Sequence, residues 1–162
     1  MTVQSAALPL PQFDWQWKAF DALDAREVYA MLKLRSDAFV VEQNCVYGDI
    51  DGLDFGAWHL FAWSEEGGER ALAGYLRVLL PDAQDADVRI GRVVTSQNHR
   101  GIKLGNALLE RAIAQIARQW PDVAMRLHAQ AHLQKFYGAF GFSPVGEIHD
   151  EDGIPHVWMR SA

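Results

Sequence analysis

The 162-residue chain contains 15 Lys and Arg residues against 21 Asp and Glu residues, which gives a formal net charge of −6, and 49% of its residues are hydrophobic. A chain of this length can bury enough apolar surface for one globular domain without a disulfide or a structural metal. The acidic balance argues against a protein that coats nucleic acid or an anionic membrane, so we expect neither as a partner. The single cysteine, Cys45, excludes an intrachain disulfide framework and favours a reducing, cytoplasmic location.

Residues 1–12 have neither the basic start nor the long apolar centre of a secretory signal, and we expect them to form a flexible lead-in. Residues 13–162 are then one predicted α+β domain. Apolar and polar residues alternate over positions 13–18, which is the period of a half-buried strand. Asp24 and Glu27 have the spacing of a capping box, which predicts a helix that runs towards Ala38.

The rest of the chain alternates between strand and helix patterns separated by turn residues. Strands are predicted over residues 57–64, 71–79, 88–95, 123–129, 142–149 and 154–160, and helices over 104–120 and 132–140. The short connections of the first three strands favour antiparallel pairing. The last two strands are expected to form a hairpin across Glu151-Asp152-Gly153.

Charge is distributed unevenly along the chain. Seven basic and only two acidic residues lie between Arg89 and Arg126, which indicates either an anion site or a solvated face. Five acidic residues and no Lys or Arg lie between Asp37 and Asp54, which indicates either a cationic ligand or a solvated loop.

The loop over residues 96–105 joins a predicted strand to the start of the amphipathic helix. The backbone N–H groups at a helix start have no partners within the helix, so with the helix dipole they form an anion site that suits a pyrophosphate. Gly101 and Gly105 permit close approach to that backbone, and Arg100 and Lys103 supply positive charge. An ordinary strand-to-helix turn is the alternative. The glycine patterns of dinucleotide-binding and Walker loops are absent from the sequence.

Several sequence blocks occur in an order and spacing that resemble a GNAT-type N-acyltransferase, more narrowly its ElaA-like branch, over nearly the whole chain. The blocks are Leu34-Arg35, residues 39–43, residues 48–52, Gly91-Arg92-Val93, Arg100-Gly101 with Gly105, residues 127–131, Phe136-Tyr137, residues 140–142 and residues 151–156.

This resemblance implies a mixed, mostly antiparallel central sheet whose two central parallel strands splay apart, with helices on its faces. Acetyl-CoA would enter the gap from one side as the cosubstrate and an amine from the other, with no metal. Gly91 would provide a bulge that aids the splay. The residues implied to contact the coenzyme are Val93, Val94, Thr95, Arg100, Gly101, Ile102, Lys103, Leu104, Gly105, Asn106, Gln130, Phe136 and Tyr137. Asn98 and Lys103 depart from the residue types common in the family.

Tyr137 matches the family tyrosine beside the coenzyme sulfur, where a phenol can protonate the departing thiolate. Packing beside Phe140 and Phe142 is the alternative role of this ring. Five residues could accept the proton of the amine, namely His59, His128, His156, Glu42 and Glu151. Glu42 is the preferred candidate, on an acceptor side that it shares with Asp49 and Asp51, and His156 is retained as a second candidate.

Two further chemistries are disfavoured by the sequence. Cys45 has no basic neighbour that would activate it as an acyl carrier. No metal is expected, because a strand end is predicted between His128 and His132 and these two residues with His149 match no recognised ligand pattern.

The predicted function is therefore acyl transfer from acyl-CoA to a small-molecule or peptide amine. A non-catalytic acyl-CoA-binding or regulatory module is one alternative. A relative of the acyl-homoserine-lactone synthases, whose Arg-x-x-x-Phe element Arg35 and Phe39 resemble, is another. The sequence leaves the oligomeric state open, with a homodimer as one arrangement.

Overall fold

A computed structural model describes residues 12–162, so residues 1–11 of the predicted lead-in lie outside the described part. Seven strands and three α-helices follow one another along this part of the chain. The strands are β1 Asp14–Ala19, β2 Trp58–Glu66, β3 Glu69–Leu79, β4 Val88–Thr95, β5 Met125–Gln130, β6 Phe142–Glu151 and β7 Ile154–Ser161, and the helices are α1 Ala25–Arg35, α2 Leu104–Gln119 and α3 Gln134–Gly138. None of these helices is long and apolar enough to cross a membrane.

All seven strands form one sheet in the order β1-β2-β3-β4-β5-β7-β6. The β4–β5 pair is parallel and every other neighbouring pair is antiparallel. The predicted mixed, mostly antiparallel sheet is confirmed. The β6–β7 hairpin turns at Asp152 and Gly153, whose positive φ angles of 52° and 81° match the right-handed twist of the strands that they join.

Helix α1 begins at the predicted capping box. The Asp24 carboxylate accepts a hydrogen bond from the Glu27 N–H at 2.8 Å, and the Glu27 carboxylate accepts one from the Asp24 N–H at 2.9 Å. The α-helical part ends at Arg35, and the chain continues as a π-helical segment over Ser36–Glu42. The helix therefore extends beyond the predicted end at Ala38.

Helix α2 packs its apolar face on the sheet and forms much of the core. The buried residues on this face are Leu104, Leu108, Leu109, Ala112 and Ile116. The helix lies so close to β3 that a Cβ atom at Gly74 would stand 3.0 Å from Leu108 Cδ1 and 3.1 Å from Leu104 Cδ2. A glycine on β3 thus permits the close packing of α2 on the sheet.

The two parallel strands pair only at their beginnings, from Val88 with Met125 to Ile90 with Leu127. The register of β4 against β3 shifts just beyond this point, because Arg77 faces Gly91 while Tyr75 faces Val94. The expected bulge is therefore present, but its left-handed residue is Arg92, with a φ of +54°, and not Gly91.

Candidate active site

A cavity of about 400 Å³ opens where β4 and β5 separate. Its walls come from the end of the π-helical segment, the following loop, β4, β5, α3 and the β6–β7 turn. Its lining residues include Tyr47, Asp51, Gly91, Arg92, Val93, His128, Gln130, Tyr137, Glu151, Asp152 and His156. The structure thus brings together Tyr137, His156, Gln130, Val93 and Asp51 from the predicted site. It places Val94 in the buried core on the other face of β4.

Tyr137 lies on α3 and is 7% exposed. Burial raises the pKa of its phenol to about 12. The hydroxyl therefore stays protonated throughout the neutral range, which is the form that can donate a proton. Phe136 packs edge-on against it, with ring centroids 5.0 Å apart, and contacts the start of α2 at Gly105.

Three histidines on neighbouring strands line or border the cavity. His156 donates its Nδ1–H to the Ile154 carbonyl oxygen at 2.7 Å, so its Nε2 carries the free lone pair. His128 Nε2 lies 2.8 Å from His149 Nε2, and the His128 ring is parallel within 13° to Trp158. Burial lowers the pKa of His128, and the neighbouring His156 lowers it further.

The predicted coenzyme loop leads from β4 into α2. Gly101 has a φ of +80° and Lys103 a φ of +62°, and Lys103 is the residue directly before the helix. No side chain caps this helix start. The N–H groups of its first turn, at Leu104, Gly105 and Asn106, are consequently available to an anion. Ile102 of this loop is half-buried and packs its side chain on the hydrophobic core.

Glu42, the preferred candidate base, pairs with Arg100 of the predicted coenzyme loop. Its carboxylate accepts two hydrogen bonds from the Arg100 guanidinium, one of them 2.8 Å long from Nη2. The guanidinium also donates a hydrogen bond from Nη2 to the Thr95 carbonyl oxygen at 3.3 Å. The bond from Arg100 lowers the pKa of Glu42, which makes it a weaker base. Glu42 is not among the residues that line the cavity.

The acidic segment is neutralised by arginines from three other parts of the fold. The fully buried Arg35 contacts Asp49 Oδ2 at 3.0 Å and Asp54 Oδ1 at 2.7 Å. Arg77 on β3 contacts Asp51 and Asp54, and Arg92 Nε lies 2.7 Å from Asp49 Oδ1.

Burial opposes ionisation of these carboxyls, but their arginine partners outweigh it. The pKa of Asp51 lies well below its usual range because of Arg77 and Arg92. The pKa of Asp54 is lowered by Arg35 and Arg77 in the same way. The cations at this segment are thus side chains of the fold itself, since Asp49, Asp51 and Asp54 have buried or half-buried arginine partners. The role of Asp49 and Asp51 on the acceptor side stays a prediction.

The basic segment is compensated in part, since four of its seven basic residues form ion pairs among residues 12–162. Arg89, Arg126 and Arg160 surround the acids of the β3–β4 connection, and Arg160 Nε lies 2.7 Å from Asp87 Oδ2. Arg92 pairs with Asp49 and Arg100 pairs with Glu42. Within residues 12–162, Lys103 is then the cation of the coenzyme loop that forms no ion pair. The net positive count of this segment is thus a weaker sign of an anion site than the α2 start itself.

Two residues that the sequence analysis considered for catalysis, His59 and Cys45, are buried in the fold. His59 is fully buried; Nδ1 lies 2.6 Å from the Tyr75 hydroxyl, and Nε2 lies 3.0 Å from the Asp54 carbonyl oxygen. Burial lowers the pKa of His59, so it is a neutral core residue. Cys45 is buried at the cavity wall, with its Sγ 3.7 Å from the Asp152 carbonyl oxygen.

Sequence reasoning missed the grouping of His128 and His149 with Glu151. His149 Nε2 lies 4.0 Å from Glu151 Oε2, and the three ligand atoms lie within 4.8 Å of one another. His132, the partner considered from the sequence, is outside this group. The register of β5, β7 and β6 brings these side chains together. The predicted β6–β7 hairpin was the one signal in the sequence for this proximity.

A mixed sheet with one parallel pair that separates beside an uncapped helix start is the architecture of the GNAT acyltransferases. The family model described as "Acetyltransferase (GNAT) domain" matches residues 38–162, and the chain belongs to this family. The general reaction of the family is acyl transfer from acyl-CoA to an amine.

Within the family the chain is similar to ElaA. The ElaA protein of Escherichia coli is 43% identical over 148 residues, which cover 90% of this chain and 94% of that protein. Its crystal structure superposes with a TM-score of 0.85 at 41% identity, covering 93% of this chain and all of that one. An acyl-CoA N-acyltransferase from Pseudomonas aeruginosa superposes with a TM-score of 0.87 at 46% identity, over 93% and 100% of the two chains.

Proposed function

We propose that the protein is an N-acyltransferase that moves an acetyl or another short acyl group from acyl-CoA directly to an amine, without a metal. One observation carries this proposal. Strand β4 leads from the cavity wall at Val93, beside a buried and protonated Tyr137, through the loop over residues 96–103 to the uncapped start of α2. A single ligand with an anionic end and a reactive end would span these two features.

The coenzyme would follow the free edge of β4. Because β5 stops pairing at Leu127, the β4 backbone from Gly91 to Thr95 has an edge to which the amides of pantetheine can add, as an extra strand would. The pyrophosphate would then lie on the N–H groups of the first turn of α2. Gln130 at the end of β5 would face the ligand from the opposite wall.

The reaction consists of one bond formed and one broken. The neutral amine attacks the thioester carbonyl carbon, the carbon–sulfur bond then breaks, and Tyr137 gives its hydroxyl proton to the leaving thiolate. His156 takes the proton of the amine at Nε2, since its Nδ1–H is held by the Ile154 carbonyl. Exchange with solvent returns the proton from His156 and reprotonates Tyr137.

The acceptor would enter the cavity on the side of the β6–β7 turn. Asp51 in the cavity wall is paired to Arg77 and Arg92, whereas Glu151 and Asp152 form no ion pair with an arginine among residues 12–162. Their free charge would attract a cationic small-molecule or peptide amine before it loses its proton. The cosubstrate coenzyme implies a cytoplasmic enzyme.

Replacement of Tyr137 by Phe tests the proposed acid. The ring and its packing remain, so we expect unchanged coenzyme affinity by calorimetry and a kcat that falls ~10–1,000-fold. The loss should shrink with an acyl donor whose thiol has a lower pKa. Tyr47→Phe is the matched control, because this second phenol of the cavity is already bound to Asp49 at 2.8 Å and should affect kcat little.

Two outcomes would contradict the proposal. Full kcat in Tyr137→Phe, measured where the chemical step limits the rate, would leave Tyr137 with a packing role. Acetyl-CoA binding by the wild-type protein without product across a broad amine and peptide panel would favour the non-catalytic module. For the base, His156→Gln should lose activity that is partly regained at high pH, where the amine arrives deprotonated.

A further inference from the structure

His128, His149 and Glu151 form a group of potential metal ligands at the edge of the cavity. None of them takes part in the bond-forming and proton-transfer steps proposed above, in which Glu151 contributes only its charge. They come from β5 and β6, on either side of β7 in the sheet. The two imidazole Nε2 atoms are 2.8 Å apart, and the Glu151 carboxylate lies 4.0 Å from the nearer one, at His149. Two imidazoles with one carboxylate is a common ligand set of zinc sites that keep an open position.

The orientation of the two rings favours a shared ligand. Their planes differ by 13° and their centroids are 4.9 Å apart, so the rings meet nearly edge to edge at Nε2. The two Nε2 atoms therefore face each other, and a rotation of the His149 ring, whose side chain is 38% exposed, would aim both nitrogens at one ion. The second nitrogen of His149, Nδ1, lies 3.3 Å from the Glu147 carbonyl oxygen. Such a partner on the far side of the ring is the usual support of a metal-bound histidine.

The His128 ring is held in place by its neighbours. Trp158 lies parallel to it, with ring centroids 4.4 Å apart, and His156 lies on it at 4.6 Å. The Glu151 side chain is 54% exposed and can rotate. The His149 ring and the Glu151 carboxylate are therefore the groups that move on metal binding, while His128 stays in place.

We propose that these three residues form a binding site for a divalent transition metal ion, with Zn²⁺ as the representative ion. Ligands of a tetrahedral Zn²⁺ ion at about 2.0–2.1 Å stand about 3.3 Å apart, so the two nitrogens would separate by ~0.5 Å and the carboxylate would approach His149 by ~0.7 Å. The ring proton of His128 moves from Nε2 to Nδ1, so no net proton is released. Water would take the fourth position of the ion.

Calorimetric titration of the tag-free protein with Zn²⁺ alone tests this site. We expect one ion per chain and no comparable binding of Mg²⁺, which prefers oxygen ligands. His149→Ala and Glu151→Gln should each weaken Zn²⁺ binding by at least ~10-fold. Loss of a residue that only hydrogen-bonds a metal ligand already costs about that much in metal affinity, and a ligand itself should cost no less. His132→Ala is the matched control, because this exposed histidine lies outside the group.

Glu151→Gln keeps the test decisive if His149→Ala does not fold, since its side chain is mostly exposed. Zn²⁺ binding that persists unchanged in the folded Glu151→Gln and His149→Ala proteins would overturn the proposal. Binding that is lost equally in His132→Ala, or that needs millimolar Zn²⁺ in the wild type, would overturn it as well. These measurements use no acyl donor, so they stand apart from the test of acyl transfer.

Discussion

Replacement of Arg35 by Met should destabilise the protein strongly, because Arg35 holds the acidic segment to the core. The guanidinium is fully buried and contacts Asp49 at 3.0 Å and Asp54 at 2.7 Å, and it also donates to the Asp49 carbonyl oxygen at 2.8 Å. Its removal leaves buried carboxylate charge with fewer partners. Breaking a buried ion pair in this way costs about 3–5 kcal/mol in unfolding free energy.

For a domain of this size, 1 kcal/mol corresponds to about 2–4 °C in Tm, so Arg35→Met should lower Tm by about 6–20 °C. Urea unfolding followed by the fluorescence of the six tryptophans gives the free energy directly. The matched control is Lys33→Met on the same helix. The side chains of its ion pair with Asp37 are 63% and 56% exposed, so its loss should leave the free energy of unfolding nearly unchanged.

A double-mutant cycle identifies the partner. Asp54→Asn should cost less in the Arg35→Met background than in the wild type, with a coupling energy of about 0.5–3 kcal/mol. A loss of less than about 1 kcal/mol in Arg35→Met, or additive costs in the cycle, would refute the argument that the buried network fixes this segment.

Three more predictions concern the coenzyme loop and the pH dependence of stability. Gly101→Val places a branched residue at a φ of +80° and should weaken coenzyme A binding at least ~10-fold by calorimetry, whereas Gly67→Val, at a φ of +59° in the β2–β3 turn, should leave it unchanged. Glu42→Gln removes a negative charge beside the anionic donor, so KM for acyl-CoA should fall, most at low ionic strength, with kcat within about threefold; a collapse of kcat would restore Glu42 as the base. Because the folded-state pKa values of Asp51 and Asp54 are lowered, the unfolded chain binds more protons in acid, and stability measured in urea should fall as pH drops below about 5; a flat profile would contradict the pairing.

Local patterns in the sequence were sufficient for the elements of the fold. The capping box at Asp24 begins α1 because its two hydrogen bonds link residues only three positions apart. The turn at Asp152-Gly153 is formed by residues that tolerate positive φ. In each case the interaction lies within a few neighbouring positions, where residue type and spacing carry the information.

The charged interactions were not accessible in this way. Arg77 lies 26 positions from Asp51 and Arg92 lies 43 positions from Asp49, so their pairing depends on how the strands align. Charge counts along the chain therefore indicated an acidic excess that the fold pairs with arginines and a basic excess that it pairs in part. The same reason applies to Glu42, which is 58 positions from Arg100, and to His128, which is 21 positions from His149.

Arg92 connects the acidic segment to the opening between β4 and β5. A non-glycine residue at a φ of +54° within a strand costs of order 1–3 kcal/mol, and it persists only where its surroundings compensate for it. Arg92 has such surroundings, because its guanidinium contacts Asp49 and Asp51 and lies 5.6 Å from the Tyr47 ring centroid. A glycine would adopt this φ freely but would lack these contacts. Arg92 therefore both forms the bulge and links the cavity wall to the acidic segment. These contacts explain why an arginine adopts the bulge conformation, although the sequence predicted the bulge at its neighbour Gly91.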